Sequence, residues 1–138
     1  MSITPAVWNE HLAYLVGERA YLLHTEGRFL ESLALFEGLL EIYPANLYYK
    51  DAVSALHLSL GNPEEAIRYA SSVITSSPTY INAFIRRCEG YLLLGMSEEA
   101  ERDMERLEDL QAYGPARRVE MRLMAVRRMQ TEQSNRRI

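Results

Sequence analysis

Among its 138 residues the chain has one cysteine (Cys88), one lysine (Lys50) and one tryptophan (Trp8). A single cysteine excludes an intramolecular disulfide framework. No apolar run approaches the roughly 20 residues that cross a bilayer as a helix. The N-terminus shows no basic patch followed by an apolar stretch, the pattern of a signal peptide, so the expectation is a cytoplasmic protein. His11, His24 and His57 lie 13 and 33 residues apart and match no ligand spacing such as two histidines at i and i+4. A glycine-rich phosphate loop, a nucleophile elbow and a paired-cysteine motif are all missing. The expectation is therefore a protein without metal, cofactor or catalytic centre.

Glycine and proline are few but regularly placed. Gly27, Gly61 and Gly95 are each 34 residues apart, and the blocks 13–46, 47–80 and 81–114 align without a gap. Small residues fill the eighth position (Ala20, Ser54, Cys88) and the twentieth (Ser32, Ala66, Ala100). The twenty-seventh is apolar (Leu39, Val73, Leu107), and the thirty-second is Pro44, Pro78 and then Ala112. A 34-residue period of this kind marks stacked helix–turn–helix units, about three of which are needed to bury a continuous core. The whole chain, 1–138, is expected to be one such domain.

The pattern predicts seven helices and no strand. Thr4 as N-cap and Pro5 at the first helical position open a long first helix that ends near Glu26, at Gly27. The second spans about 28–43, with Leu30, Leu33, Phe36, Leu39 and Leu40 on one stripe. The third spans about 47–60. The fourth starts at Pro63 after Asn62, with Glu65 completing a capping box, and runs to about Ser76. The fifth covers about 79–94, and the sixth about 97–113, ended by Gly114-Pro115. The seventh, about 116–133, lies outside the repeat and presents Ala116, Val119, Leu123 and Val126 on one face, as a cap for the open end of the stack; residues 134–138 are expected to fray.

Charge is divided unevenly. Residues 1–114 hold 17 acids against 8 bases, a net of −9, and residues 115–138 hold 2 acids against 7 arginines, a net of +5. The acids between Glu98 and Glu108 alternate with Arg102 and Arg106 at helical spacing, the pattern of an ion-paired solvated face. The C-terminal arginines suit phosphates or anionic lipid, but the body is acidic and no aromatics interleave with them. The reading adopted is a solvated cap that pairs with the acidic last repeat. Cys88 and His57 occupy packing columns and are read as packing residues.

In period, small–Gly–small–Pro columns and apolar columns, residues 13–114 resemble the tetratricopeptide repeat family. The usual tryptophan column is Val16, Lys50 and Phe84 here, and the leucine of the seventh column is Arg19, Val53 and Arg87. The resemblance implies an all-α fold: three helical hairpins in a right-handed superhelix, with an extended first helix and a C-terminal capping helix. It also implies that the first helix of each hairpin lines a concave groove through its second, fifth, ninth and twelfth positions. Carried over, these are Tyr14, Gly17, Tyr21 and His24; Tyr48, Asp51, Ala55 and Leu58; and Asn82, Ile85, Glu89 and Leu92. The implied groove is aromatic and apolar, with Asp51 and Glu89 as acidic accents, and suits an extended or helical segment of another protein. Of the positions that clamp a C-terminal carboxylate in some members (Gly17, Tyr21, Ala52, Asn82, Arg86), only Asn82 and Arg86 fit, so carboxylate capture is not expected. In size and architecture the chain is also similar to the small tetratricopeptide chaperones of bacterial type III secretion, which hold secreted subunits in the groove. The leading expectation is a chaperone or adaptor. The alternatives are a self-associating scaffold or homodimer through Ile3, Val7, Trp8 and Leu12, which could equally fold back as a cap, and nucleic-acid or anionic-lipid binding through the arginine helix.

Overall fold

The computed structural model describes residues 8–137. Among these residues there are seven α-helices and no strand: α1 (Glu10–Thr25), α2 (Phe29–Ile42), α3 (Leu47–Ser59), α4 (Pro63–Ser76), α5 (Ile81–Leu93), α6 (Ser97–Asp109) and α7 (Tyr113–Arg136). The pairs α1/α2, α3/α4 and α5/α6 form antiparallel hairpins whose turns are the three periodic glycines. Each glycine has a left-handed φ, +79° at Gly27, +77° at Gly61 and +72° at Gly95, where a Cβ would be strained. Each turn closes identically. The glycine N–H donates to His24, Leu58 or Leu92, and the next N–H donates to Leu23, His57 or Tyr91, at 2.8–2.9 Å for the latter set. Two orphan carbonyls of each helix end are satisfied in this way.

The small columns are where paired helices touch. Ala20, Ser32, Ser54, Ala66, Cys88 and Ala100 are all 0% exposed. Within each hairpin one member of the pair donates to the carbonyl of the other: Ser32 Oγ to Ala20 and Ser54 Oγ to Ala66 at 2.7 Å, and Cys88 Sγ to Ala100 at 3.2 Å. A larger side chain would force the helices apart and break this cross-link. Burial pushes the Cys88 thiol up to about 12, so it is a packing group and not a thiolate nucleophile. Gly90 serves a similar close approach between hairpins. A Cβ there would meet Ile67 Cγ1 at 2.7 Å and the Pro63 carbonyl oxygen at 3.2 Å.

The core runs along the stack as three clusters of buried residues. Phe36, Leu39, Val53 and Leu56 fill the first two hairpins, Ala70, Val73 and Ala83 bridge to the third, and Phe84, Leu92, Leu107, Val119 and Leu123 close it against α7. Burial of each large side chain contributes about 1.5–3 kcal/mol. One polar pair joins this core. Arg87 grips Asp103 through Nε at 2.8 Å and Nη2 at 2.7 Å, with Asp103 almost fully buried. The Asp103 hydrogen bond holds the Arg87 pKa above its usual value.

Several sequence-based boundaries shift. The first helix starts at Glu10, where Asn9 accepts from the Leu12 N–H; Thr4 and Pro5 lie outside the described residues, but 8 and 9 are already non-helical. The extension ahead of the repeat is thus three residues, Glu10 to Leu12. Asn62 makes no side-chain cap, because its amide faces His57 Nδ1 at 3.4 Å and Glu65 is drawn to Arg68. The fifth helix begins at Ile81 after Tyr80, not at Thr79. Gly114-Pro115 does not break a helix but sits in the first turn of α7, where a missing proline N–H is harmless. The break comes earlier, at Gln111, with φ +61°. Asp103 is not on the solvated ion-pair face but inside. Finally, α7 remains helical to Arg136 instead of fraying from 134.

Candidate binding groove

α3 packs on α5 and α5 on α7, whereas no two of α2, α4 and α6 make comparable contact. α3, α5 and α7 therefore form one inner wall, and α1, which packs chiefly on α2, reaches it where Tyr21 and Glu18 come close to Tyr48. Tyr21 (54% exposed) and Tyr48 (50% exposed) stand on this wall. Tyr48 is backed from beneath by Phe36 and Tyr49, with ring centroids 6.2 Å and 5.9 Å away. Burial raises the Tyr48 pKa first, and Tyr21, Glu18 and Asp51 add to it, which puts these four side chains in one neighbourhood. Tyr48 is thus held from beneath while half of it stays open, the condition in which an aromatic contributes contact area without much loss of freedom.

Beside the tyrosines the wall becomes polar. Asp51 is 5% exposed, and its Oδ1 lies 3.4 Å from Arg86 Nε. The two atoms are not aligned as a hydrogen bond, and neither has another partner. The contact is an ion pair of modest geometry. Burial pushes the Asp51 carboxyl up, with Arg86 opposing. Asp51 is therefore not an accessible acidic accent, and the charge that reaches the groove at this level is the guanidinium of Arg86. Tyr80 stands nearby, its pKa raised by burial and then by Asp51.

His24 is also close. Burial, then the charge of Arg86, lowers its pKa below 6.5. A lowered histidine binds its proton more weakly in the folded state, so stability is complete above pH 6.5 and declines as pH falls from there through the folded pKa. His24→Gln is expected to flatten this part of the stability–pH curve, measured by urea midpoints between pH 7.5 and 5. A curve unchanged by the substitution would refute the assignment.

The other expected groove residues divide. Ala55, Leu58 and Ile85 are half-buried on the same wall. Glu89 is half-buried and pairs with Arg122 of α7 at 3.2 Å. Leu92, 5% exposed, is covered by α7 in the core of the third hairpin and offers almost no surface. Tyr14 stands apart, lining a concavity of about 280 Å³ with Tyr43, Asn46 and Tyr49. Trp8 folds onto that edge, where its Nε1–H donates to the Tyr43 hydroxyl at 2.9 Å. Leu12 is half-buried, and Ile3 and Val7 lie outside the described residues. Tyr80 and Arg122 were missed by sequence reasoning because both stand outside the four groove columns.

A second concavity, of about 430 Å³, opens on the outer side between α2 and α4 and is lined by Glu37, Glu41, Lys50, His57, Glu65 and Tyr69 among others. There His57 stacks on Tyr69 at 5.8 Å. No helix among the described residues is long and apolar enough to cross a membrane.

No family model matches the chain. Curated relatives include DnaJ homolog subfamily C member 3 of Bos taurus, 32% identical over 92 residues (64% of this chain, 18% of the relative). A TPR repeat-containing thioredoxin of Arabidopsis thaliana is 27% identical over 104 residues (67% of this chain, 15% of the relative). The chain thus spans less than a fifth of the length of these relatives. Among solved structures, PcrH from Pseudomonas aeruginosa is similar with a TM-score of 0.78 and 20% identity, covering 87% of this chain and 95% of that one. PcrH in complex with the chaperone binding region of PopD gives 0.79 and 19%, covering 92% and 99%. The Sgt2 TPR domain from Aspergillus fumigatus gives 0.76 and 18%, covering 98% and 88%. Three glycine-turned hairpins, small columns where the paired helices touch and a closing helix give the chain the tetratricopeptide repeat fold.

Proposed function

We propose that the chain is a protein-binding module that holds an apolar segment of another protein against the inner wall, as a small chaperone or adaptor. The observation that carries this reading is the pair Tyr21 and Tyr48, half exposed and close to each other on α1 and α3, with Tyr48 backed by Phe36. Occupancy of the wall removes an aggregation-prone segment from competing association by mass action. The likeness to PcrH, solved with a region of PopD bound, supports the chaperone version, including one in bacterial type III secretion. The test is to capture partners on tagged protein from the source cells, then titrate the stoichiometric partner against wild type and Tyr21→Ala/Tyr48→Ala. Two central aromatics carry about 2 kcal/mol each, so a loss of roughly 10²–10³-fold in Kd is expected, with circular dichroism unchanged. Unchanged affinity, or lost helicity, would overturn the reading.

A second reading, self-association, is favoured by Leu15 and Leu22, both exposed on α1. Their columns in later repeats (Tyr49 and Leu56, Ala83 and Gly90) are covered, Gly90 by α4 of the preceding hairpin. Leu15→Glu/Leu22→Glu is expected to turn a dimer into a monomer in sedimentation velocity. A wild type that is monomeric at tens of micromolar dismisses this reading.

A further inference from the structure

The C-terminal helix caps the stack, but its flanks are not equivalent. Ala116, Val119 and Leu123 face the core. At about 100° per residue, the flank toward α6 carries Arg127, which pairs with Glu101, and above it Gln130, which donates to the Gly95 carbonyl at 2.8 Å and accepts from Ser97. The opposite flank, toward α5, carries Arg122, held by Glu89 at 3.2 Å. Met129 and Arg118 project on that same side, about 20° and 40° beyond Arg122, whereas Met121 points away from the stack. Glu89 and Ile85 belong to the inner wall, so this flank of α7 continues it.

Its chemistry differs from that of the opposite end. Met129 is 58% exposed, and methionine adapts to apolar surfaces of varied shape. Arg118 is exposed and makes no ion pair among the described residues. Arg122 spends one contact on Glu89 and keeps other N–H donors free. At the first hairpin Glu18 lies near Tyr48, and the Arg86 guanidinium reaches the groove between the two ends. The α7 end adds two further arginines and an exposed methionine.

We propose that α7 is the fourth wall of the groove and selects, in a partner protein, an apolar segment that ends in acidic residues, whose carboxylates meet Arg118 and Arg122 while apolar side chains rest on Met129. This rests on the groove reading above and adds polarity to it, because the acidic end lies at α7. Charge complementarity fixes the register and direction of a bound chain more than its overall affinity.

The test uses a random-peptide library displayed on phage, panned against the full chain. Wild type is expected to select apolar peptides with clustered Asp or Glu at one end. For one such peptide, fluorescence anisotropy is expected to show about tenfold weaker binding to Arg118→Glu and to Met129→Ser. A version with its acids changed to lysine is expected to regain affinity for Arg118→Glu. Peptides that need Tyr21 and Tyr48 but show no acidic bias and ignore Arg118→Glu would overturn this inference and leave the groove reading intact. Failure to select any peptide, or equal binding to Tyr21→Ala/Tyr48→Ala, would remove both. Binding of heparin or phosphatidylserine vesicles through Arg118, without acidic bias in the peptides, would assign the arginines to polyanions and also overturn it.

Discussion

Asp103→Ala is expected to lower the unfolding free energy by about 3 kcal/mol, read as a shift of the urea midpoint with an unchanged slope. Alanine leaves the Arg87 guanidinium partly buried against Phe84 and Tyr91 with its two short hydrogen bonds gone and only Ser71 Oγ, at 3.4 Å, in reach. The loss comes from stranding a charge, not from forfeiting a strong bond. Replacing both partners makes the distinction. The equivalent columns of the second repeat are Val53 and Tyr69, an apolar pair in the same place. Arg87→Val/Asp103→Tyr is therefore expected to recover most of the lost stability, since buried ion pairs exchange for packed apolar groups at little net change. A double variant as unstable as the single one would show that the ion pair itself specifies the third hairpin.

Phe36→Ala is expected to cost about 3–5 kcal/mol, because a fully buried ring is removed from the centre of the first two hairpins and the cavity collapses only in part. Phe36 touches Tyr48 and Tyr49 edge-on and tilted, each at 6.2 Å, so the same change removes the support under the groove tyrosine. Partner affinity is expected to fall even for the folded fraction. Phe36→Leu retains most of the volume and is expected to cost about 1 kcal/mol, yet it loses the aromatic edge behind Tyr48. Comparing the two separates stability from presentation of Tyr48. A cost below 1 kcal/mol for Phe36→Ala would place the ring outside the core.

The fold was legible in the sequence because its determinants are local and periodic. A left-handed glycine after each first helix, and a small residue wherever two helices touch, must recur at the repeat length, so Gly27, Gly61 and Gly95 could be read without any tertiary information. The features that misled are those settled by competition or by distance. Glu65 had the spacing for a capping box, but Arg68 three residues on offered a charged partner at 2.7 Å. Gly114-Pro115 looked like a break, although proline is equally at home in a first turn. Arg87 and Asp103 lie 16 residues apart on different helices, and nothing in either local stretch announces a pair. The signal available was a column mismatch, an arginine in a leucine column with an acid opposite where other repeats are apolar. The tyrosines of the wall were found through their columns. Tyr80 stands outside the groove columns and Arg122 outside the repeat, and their place depends on how neighbouring helices lean.

Each helix packs on the next in the chain or the next but one, and there are no comparable contacts between the first hairpin and the last. Such a chain has low contact order, so it folds quickly and can begin at any hairpin. For the same reason its cooperativity is short-ranged: α1 is held chiefly by its own hairpin and can fray while the third hairpin stays formed. A segment lying along the whole inner wall would be the only element to touch both ends at once. Binding would then act as a long-range contact that the polypeptide itself lacks, joining hairpins that open separately into one unit that opens together.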